Sequence, residues 1–251
     1  MNVLKKMVEG MIFALALVLI VMAGPSLSAD EISIAIIDSG ARSYVDAGES
    51  FTSYPARQDP LGHGTEIARL IRQNNPSAKI YMLQVCEKTG GDFKPSRDAI
   101  LKAIQWSVDR NIRIVNMSLV TKYDQEIENA ITNAATSHGV LFIAAGGNKT
   151  LASHFATDSK GYVCKVSKDV KPAFPASSPY VISVGALNKN GEIAGYSGRH
   201  CDVYAQGKTR GQEGTSFACA RVTAEVAQLL ADSAQRTMDK NDILTHLQGS
   251  L

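Results

Sequence analysis

Three side chains far apart in the sequence carry the groups of a nucleophilic hydrolase. They are an aspartate closing an apolar run in Ile34-Ala35-Ile36-Ile37-Asp38-Ser39-Gly40, a histidine between glycines in Gly62-His63-Gly64-Thr65, and a serine opening a small-residue segment in Gly214-Thr215-Ser216-Phe217-Ala218. A hydroxyl attacks a carbonyl only when a base takes its proton, and imidazole suits that task near neutral pH. A carboxylate behind the imidazole fixes its tautomer and stabilises its charged form without itself taking the proton. Each residue also has an ordinary reading: Ser216 as a helix N-cap, His63 as a turn residue, Asp38 as a turn cap. Asn148, after Gly146-Gly147, could be a left-handed turn or an amide that holds an anion.

These groups need elements to bring them together. Short β-branched runs over 32–37, 80–85, 112–117, 140–145 and 181–184 alternate with amphipathic segments over 65–73, 96–110 and 125–138, and a nearly all-apolar segment spans 216–230. This alternation predicts βαβ units, with apolar strands in a parallel sheet covered by helices on both faces. In the 96–110 helix Ser96 is the expected N-cap, and Ile100, Leu101, Ile104 and Val108 form one apolar face. Ligand sites in such sheets lie beyond the carboxyl ends of the strands. Asp38, the segment Met117-Ser118-Leu119 and Asn148 all follow strands, so they fall on one edge. Ser216, opening a buried helix, would present its hydroxyl at the positive helix terminus.

The 251 residues hold 26 Lys and Arg against 24 Asp and Glu, a balance that implies no nucleic-acid partner. Lys5-Lys6, an apolar run over 11–23 and the small residues Ser26, Ser28 and Ala29 read as a secretory signal over 1–28, cleaved after Ser28 or Ala29. An uncleaved anchor is the rival reading, but the run falls short of the roughly 20 residues a spanning helix needs. No stable membrane span is expected after cleavage, and the expected location is secreted or periplasmic. Residues 29–251 then form a single domain, without linker or repeat. Cys86, Cys164, Cys201 and Cys219 lack zinc-ligand spacing and could form disulfides or stay as buried thiols. Cys164 with Cys201 is the favoured bridge, and Cys219 reads as packing.

The order Asp, His, Ser is one of three unrelated orders known for this triad, and it resembles that of the subtilisin-like serine proteases. Val115-Asn116-Met117-Ser118-Leu119, Ala144-Ala145-Gly146-Gly147-Asn148, Pro175-Ala176, Val181-Ile182-Ser183-Val184-Gly185 and Asp202-Val203-Tyr204-Ala205 also resemble signatures of that family, in its order. The resemblance implies a three-layer α/β fold with a central, mainly parallel sheet. It implies a serine endopeptidase with Asp38, His63, Ser216 and Asn148 as catalytic groups, acting on polypeptides. It also implies that Ser118, Leu119, Val120 and Gly147 line the substrate cleft. Val120 stands where the family usually has glycine, so a narrow pocket for small or slender side chains is expected.

Several positions depart from the family pattern: Glu66 and Arg69 after the histidine, Ala220 and Arg221 after the serine, Gln206 in place of proline, and Gly146 in place of alanine. They leave open a catalytically silent protein that binds peptides in the same cleft. The short interval between His63 and Ile80 has no counterpart of the calcium loop of many relatives, and no metal or cofactor is expected. Residues 150–171 read as an exposed insertion near the cleft. No propeptide domain is recognisable, so three expectations stand: the enzyme folds unaided, a helper or inhibitor acts on it in trans, or it is not a self-processing zymogen. An esterase of the α/β-hydrolase type is disfavoured by the lack of a Gly-x-Ser-x-Gly elbow at Ser216, and a dinucleotide site by the lack of a Gly-x-Gly-x-x-Gly turn.

Overall fold

The computed structural model describes residues 32–148, 171–233 and 237–249. The expected signal peptide, the insertion up to residue 170 and Cys164 lie outside these residues. The chain runs β1 (Ser33–Asp38), β2 (Ala47–Ser50), α1 (His63–Asn74), β3 (Lys79–Gln84), β4 (Cys86–Thr89), β5 (Asp92–Pro95), α2 (Arg97–Asp109) and β6 (Ile114–Met117). It continues through α3 (Gln125–His138), β7 (Leu141–Ala145), β8 (Val181–Leu187), β9 (Val203–Gln206), α4 (Thr215–Asp232) and α5 (Lys240–Gly249).

Seven strands form one sheet in the order β2-β3-β1-β6-β7-β8-β9, with every adjacent pair parallel. Alternate side chains along each strand enter opposite layers. From β1, Ile34 and Ile36 pack with Ile67 and Ile71 of α1, Val222 and Val226 of α4 and Ile243 of α5. Ala35 and Ile37 pack on the other side with Ile100 and Ile104 of α2 and Ile127 and Ile131 of α3. Burial on both faces explains the apolar runs that mark the strands, and the three layers are the architecture expected from the sequence.

The local signals hold in most places. Ser96 occupies the N-cap position of α2, but its side chain makes no capping bond. Asp124 does cap α3, accepting from the Glu126 and Ile127 N–H groups at 3.0 and 3.1 Å. Ile100 and Ile104 are fully buried, while Leu101 and Val108 flank the same core half-buried.

The strand order reverses direction around β1: β3 lies on one side of it and β6 on the other. A crevice opens at the carboxyl ends of β1 and β6, because the chain leaves these neighbours toward opposite sides. Among the described residues, no helix is long and apolar enough to cross a membrane.

Candidate active site

Asp38 ends β1 in that crevice, 2% exposed. Its Oδ1 accepts from the Ser39 N–H at 2.7 Å and lies 2.8 Å from Nδ1 of His63, with Oδ2 at 3.0 Å from the same nitrogen. A carboxylate only accepts, so Nδ1 carries the proton and Nε2 keeps its lone pair in the neutral ring. Burial pulls the His63 pKa down, but the charge of Asp38, its hydrogen bond and the charge of Asp59 outweigh burial and raise it above the ordinary imidazole value.

His63 is the first residue of α1, and Gly62 before it takes the left-handed conformation at φ 70°. Gly64 is required for a different reason: a Cβ there would lie 2.2 Å from the Gly40 carbonyl oxygen and 3.2 Å from Asp38 Oδ1. Space around Gly62 is open, with only Arg42 Nη2 nearby at 3.7 Å, so its backbone angle rather than clearance for the imidazole is what favours glycine.

Ser216 lies in the first turn of α4, whose N-cap, Gly214, offers no side-chain cap. Helix N–H groups there have no intrahelical partner and can face an anion. The Ser216 hydroxyl donates to the Ser118 carbonyl at 2.9 Å, and the Ser118 hydroxyl donates back to the Ser216 carbonyl at 3.0 Å. The nucleophile candidate is thus paired with the end of β6 and not with His63.

Asn148 follows β7. Its Oδ1 accepts from the Thr215 N–H at 2.8 Å and hydroxyl at 3.0 Å, while that hydroxyl oxygen accepts from the Gly147 N–H at 3.1 Å. These bonds settle which end of the amide faces Thr215 and leave the Nδ2 donors for another acceptor. One cleft of about 270 Å³ is lined by all of Asp38, His63, Ser216, Asn148, Ser118, Leu119, Val120 and Gly147. Groups that can orient a base, accept a proton, attack and hold an anion therefore share one space, as acyl transfer requires.

A profile described as the Subtilase family matches residues 29–248. The chain belongs to the subtilase family. It is 33% identical over 187 residues to the minor extracellular protease Epr of Bacillus subtilis (strain 168), covering 68% of this chain and 26% of Epr. It is 29% identical over 229 residues to subtilisin E of the same strain, covering 80% and 55%. With subtilisin BL of Lederbergia lenta it shares 26% identity over 240 residues, covering 88% and 81%. The chain thus spans about a quarter of Epr and about half of subtilisin E. The crystal structure of a lanthipeptide protease superposes with a TM-score of 0.67 at 24% identity, over 87% of this chain and 79% of that one, which shows the subtilisin-like fold.

Apart from Val120, the departures of this subtilase from its family pattern do not line the cleft. Glu66 and Arg69 pair with each other at 2.5 and 2.8 Å, and Arg69 holds the Glu66 carboxyl below its usual range. Arg221 donates to the carbonyls of Gln206 and Lys208 at 2.9 and 3.0 Å, bracing the loop that leads to Gly214. The cleft also contains residues that the sequence reading missed: Leu61, and Cys86, Phe93 and Pro95 of the β4–β5 hairpin. A Gly-Gly pair flanked by polar strands was the available signal for that hairpin.

The expected Cys164–Cys201 bridge involves Cys164, which lies outside the described residues; Cys86, Cys201 and Cys219 are buried thiols. Burial pushes the Cys201 thiol up to about 11 and the Cys219 thiol up to about 12. The Cys201 sulfur occupies the space beside Gly146, where an added Cβ would sit 2.6 Å from Sγ and 3.1 Å from the Val184 carbonyl oxygen. The cysteine and the glycine are therefore complementary in volume at the root of the Asn148 segment. Gly146→Ala is expected to destabilise the protein by about 1–3 kcal/mol through overpacking. Adding Cys201→Ala should recover part of that loss in urea unfolding; equal losses with and without it would refute the coupling.

Proposed function

We propose that this subtilase is an exported serine endopeptidase working through Ser216, His63 and Asp38, with Asn148 holding the oxyanion. The observation that carries this reading is the Asp38–His63 hydrogen bond at 2.8 Å in the cleft that also holds Ser216 and Asn148. A peptide laid along 118–120 places its own N–H groups against the carbonyls of that segment. A substrate amide that donates to the Ser118 carbonyl takes the acceptor now used by the Ser216 hydroxyl, which then turns to His63 Nε2. Binding of a backbone thereby arms the nucleophile.

The Ser216 oxygen forms a bond to the scissile carbonyl carbon as its proton moves to Nε2. The carbonyl electrons collect on oxygen, which accepts from Asn148 Nδ2 and the Ser216 N–H. Collapse breaks the C–N bond, and His63 returns the proton to the leaving amine. Water then attacks the acyl-enzyme as its proton moves to His63; collapse breaks the bond from the carbonyl carbon to the Ser216 oxygen, His63 returns the proton to that oxygen, and the acid leaves. Asp38 stays ionised throughout and supports the imidazolium.

Val120, 46% exposed on the cleft wall with Gly147 facing it, supports a pocket that admits small or slender side chains before the scissile bond. Export rests on the N-terminal signal pattern and on relatives such as the minor extracellular protease. A folding helper or inhibitor acting in trans belongs to the same reading.

The deciding experiment is an unbiased peptide-library cleavage profile, alongside labelling by a fluorophosphonate. Cleavage and labelling should both vanish in Ser216→Ala, and Asn148→Ala should cost about 100- to 1,000-fold in turnover, the range known for subtilisin itself. Fastest cleavage after large aromatics would refute the narrow pocket. A chain that binds library peptides but neither cuts nor labels would instead be the silent peptide-binding protein.

The pH dependence has a definite sign. His63 acts only when neutral, and its raised pKa delays deprotonation, so activity should rise with pH to a midpoint above that of free imidazole. A kcat/KM profile with its midpoint at or below about 6.5 would count against this assignment.

A further inference from the structure

Behind the Asp38–His63 pair lies a second carboxylate that the reaction scheme above leaves unused. Asp59 is 3% exposed, and its two oxygens divide their work between two segments. Oδ1 accepts from the Ser39 hydroxyl at 2.8 Å. Oδ2 accepts from the Thr65 N–H at 2.8 Å and the Thr65 hydroxyl at 2.6 Å. Ser39 adjoins Asp38, and Thr65 lies in the first turn of α1 just after His63.

A buried carboxylate normally takes a cation as partner. Among the described residues Asp59 has none: the Arg42 guanidinium donates to its main-chain carbonyl at 3.0 Å, and its three side-chain bonds come from neutral donors. Its charge therefore faces the N-terminus of α1, where Gly62 provides no side-chain cap. Asp59 supplies that cap from three residues before the N-cap position and adds negative charge at the positive end of the helix. The Ser39 hydroxyl, which accepts from the Gly64 N–H at 3.2 Å, closes the link on the β1 side.

We propose that Asp59 is a positioning residue, which fastens the Asp38 segment to the first turn of α1 and so holds the imidazole at its working distance and charge. The proposal rests on His63 being the general base. The other groups facing His63 are the Asp38 carboxylate on β1, the Cys86 thiol of β4, which burial pushes up to about 12 and so keeps neutral, and the uncharged Phe217 ring at 6.0 Å. Among the described residues, the Arg42 guanidinium donates to the Asp59 main-chain carbonyl, with Nη2 close to Gly62. The Asp59 charge supports the imidazolium in the same sense as Asp38 does.

Two variants test this. Asp59→Asn keeps the shape and one acceptor oxygen but removes the charge. It is expected to lower kcat about tenfold with KM within about twofold, because the base is displaced while the peptide-binding edge is untouched. The His63 ring should also titrate at lower pH than in the unmodified chain, as read by NMR of labelled histidine. Thr65→Val removes the 2.6 Å bond and keeps the charge, so kcat should fall while His63 titrates as before. The titrations are run on Ser216→Ala protein and need no turnover, so they answer for Asp59 even if the chain proves silent toward peptides. Unmoved His63 titration in folded Asp59→Asn overturns the proposal. If that variant does not fold, unchanged kcat in Thr65→Val overturns it instead.

Discussion

The hydrogen bond between Asp38 and His63 depends on a backbone contact. The first turn of α1 lies so close to the loop after β1 that a single methyl group at position 64 would sit 2.2 Å from the Gly40 oxygen. A helix held off by that methyl would carry His63 away from the carboxylate, since the ring is fixed to the first helical residue. Glycine at 64 is therefore a distance constraint between two chain segments, and conformational freedom is secondary there. Asp59 acts on the same gap from the other side, drawing Ser39 and Thr65 together through its two oxygens. Steric permission comes from the glycine, and attraction from the buried carboxylate.

The parallel sheet is what turns that local contact into a site. Because all seven strands run the same way, their carboxyl ends lie along one edge, and each can deliver a functional group without a long excursion. β1 ends on Asp38, β6 is followed by Ser118, and β7 by the segment leading to Asn148. Helix α4 begins at the same edge and runs back across the sheet, burying Phe217, Ala218, Val222 and Val226. A large apolar face thus anchors the short polar turn that carries Ser216, so the hydroxyl sits on a rigid element rather than on a loop. The Thr215–Asn148 bonds then tie the start of α4 to the end of β7.

Where the sequence was legible, burial on two faces made it so. Strands β1, β3, β6, β7 and β8 and helices α1 to α4 announce themselves through apolar period or unbroken apolar runs. Strands β2, β4, β5 and β9 and helix α5 escaped, the strands because most of their residues are not buried. Strand β2, Ala47-Gly48-Glu49-Ser50, is an exposed edge with no apolar alternation, and β4–β5 is a polar hairpin around Gly90-Gly91. Helix α5 is short, yet a capping box marks it: Asp239 Oδ1 accepts from the Asp242 N–H while Asp242 Oδ2 accepts from the Asp239 N–H. In the site, Asp38, His63, Ser216 and Asn148 and the expected wall residues Ser118, Leu119, Val120 and Gly147 all line the cleft, because each lies at or just after a strand end or in the first turn of a helix. Asp59 was invisible for the opposite reason, since Asp-Pro before a glycine reads as an ordinary turn and only its tertiary bonds reveal its place. The fit between Gly146 and Cys201 was equally hidden, since spacing carries no information on volume and the sulfur fills the space beside the glycine.

The departures from the family pattern share a physical logic. Glu66 and Arg69 arrive as an ion pair along one helix face, three residues apart, so neither brings an unbalanced charge. Arg221 spends its donors on carbonyls of the loop ahead of Gly214, and Gln206 anchors the same loop by donating to the Asn188 carbonyl at 3.1 Å. A small residue at 146 accompanies a sulfur at 201. These contacts of Glu66, Arg69, Arg221, Gln206 and Gly146 all lie outside the space between His63, Ser216 and Asn148. A protein losing its chemistry would accumulate uncompensated changes first in the groups that only the reaction requires. Asp38 and Asn148 are both retained, the first bonded to His63 and the second accepting from Thr215 through Oδ1 with its Nδ2 donors left for another acceptor. The altered shell thus leaves the polar groups of the cleft in place.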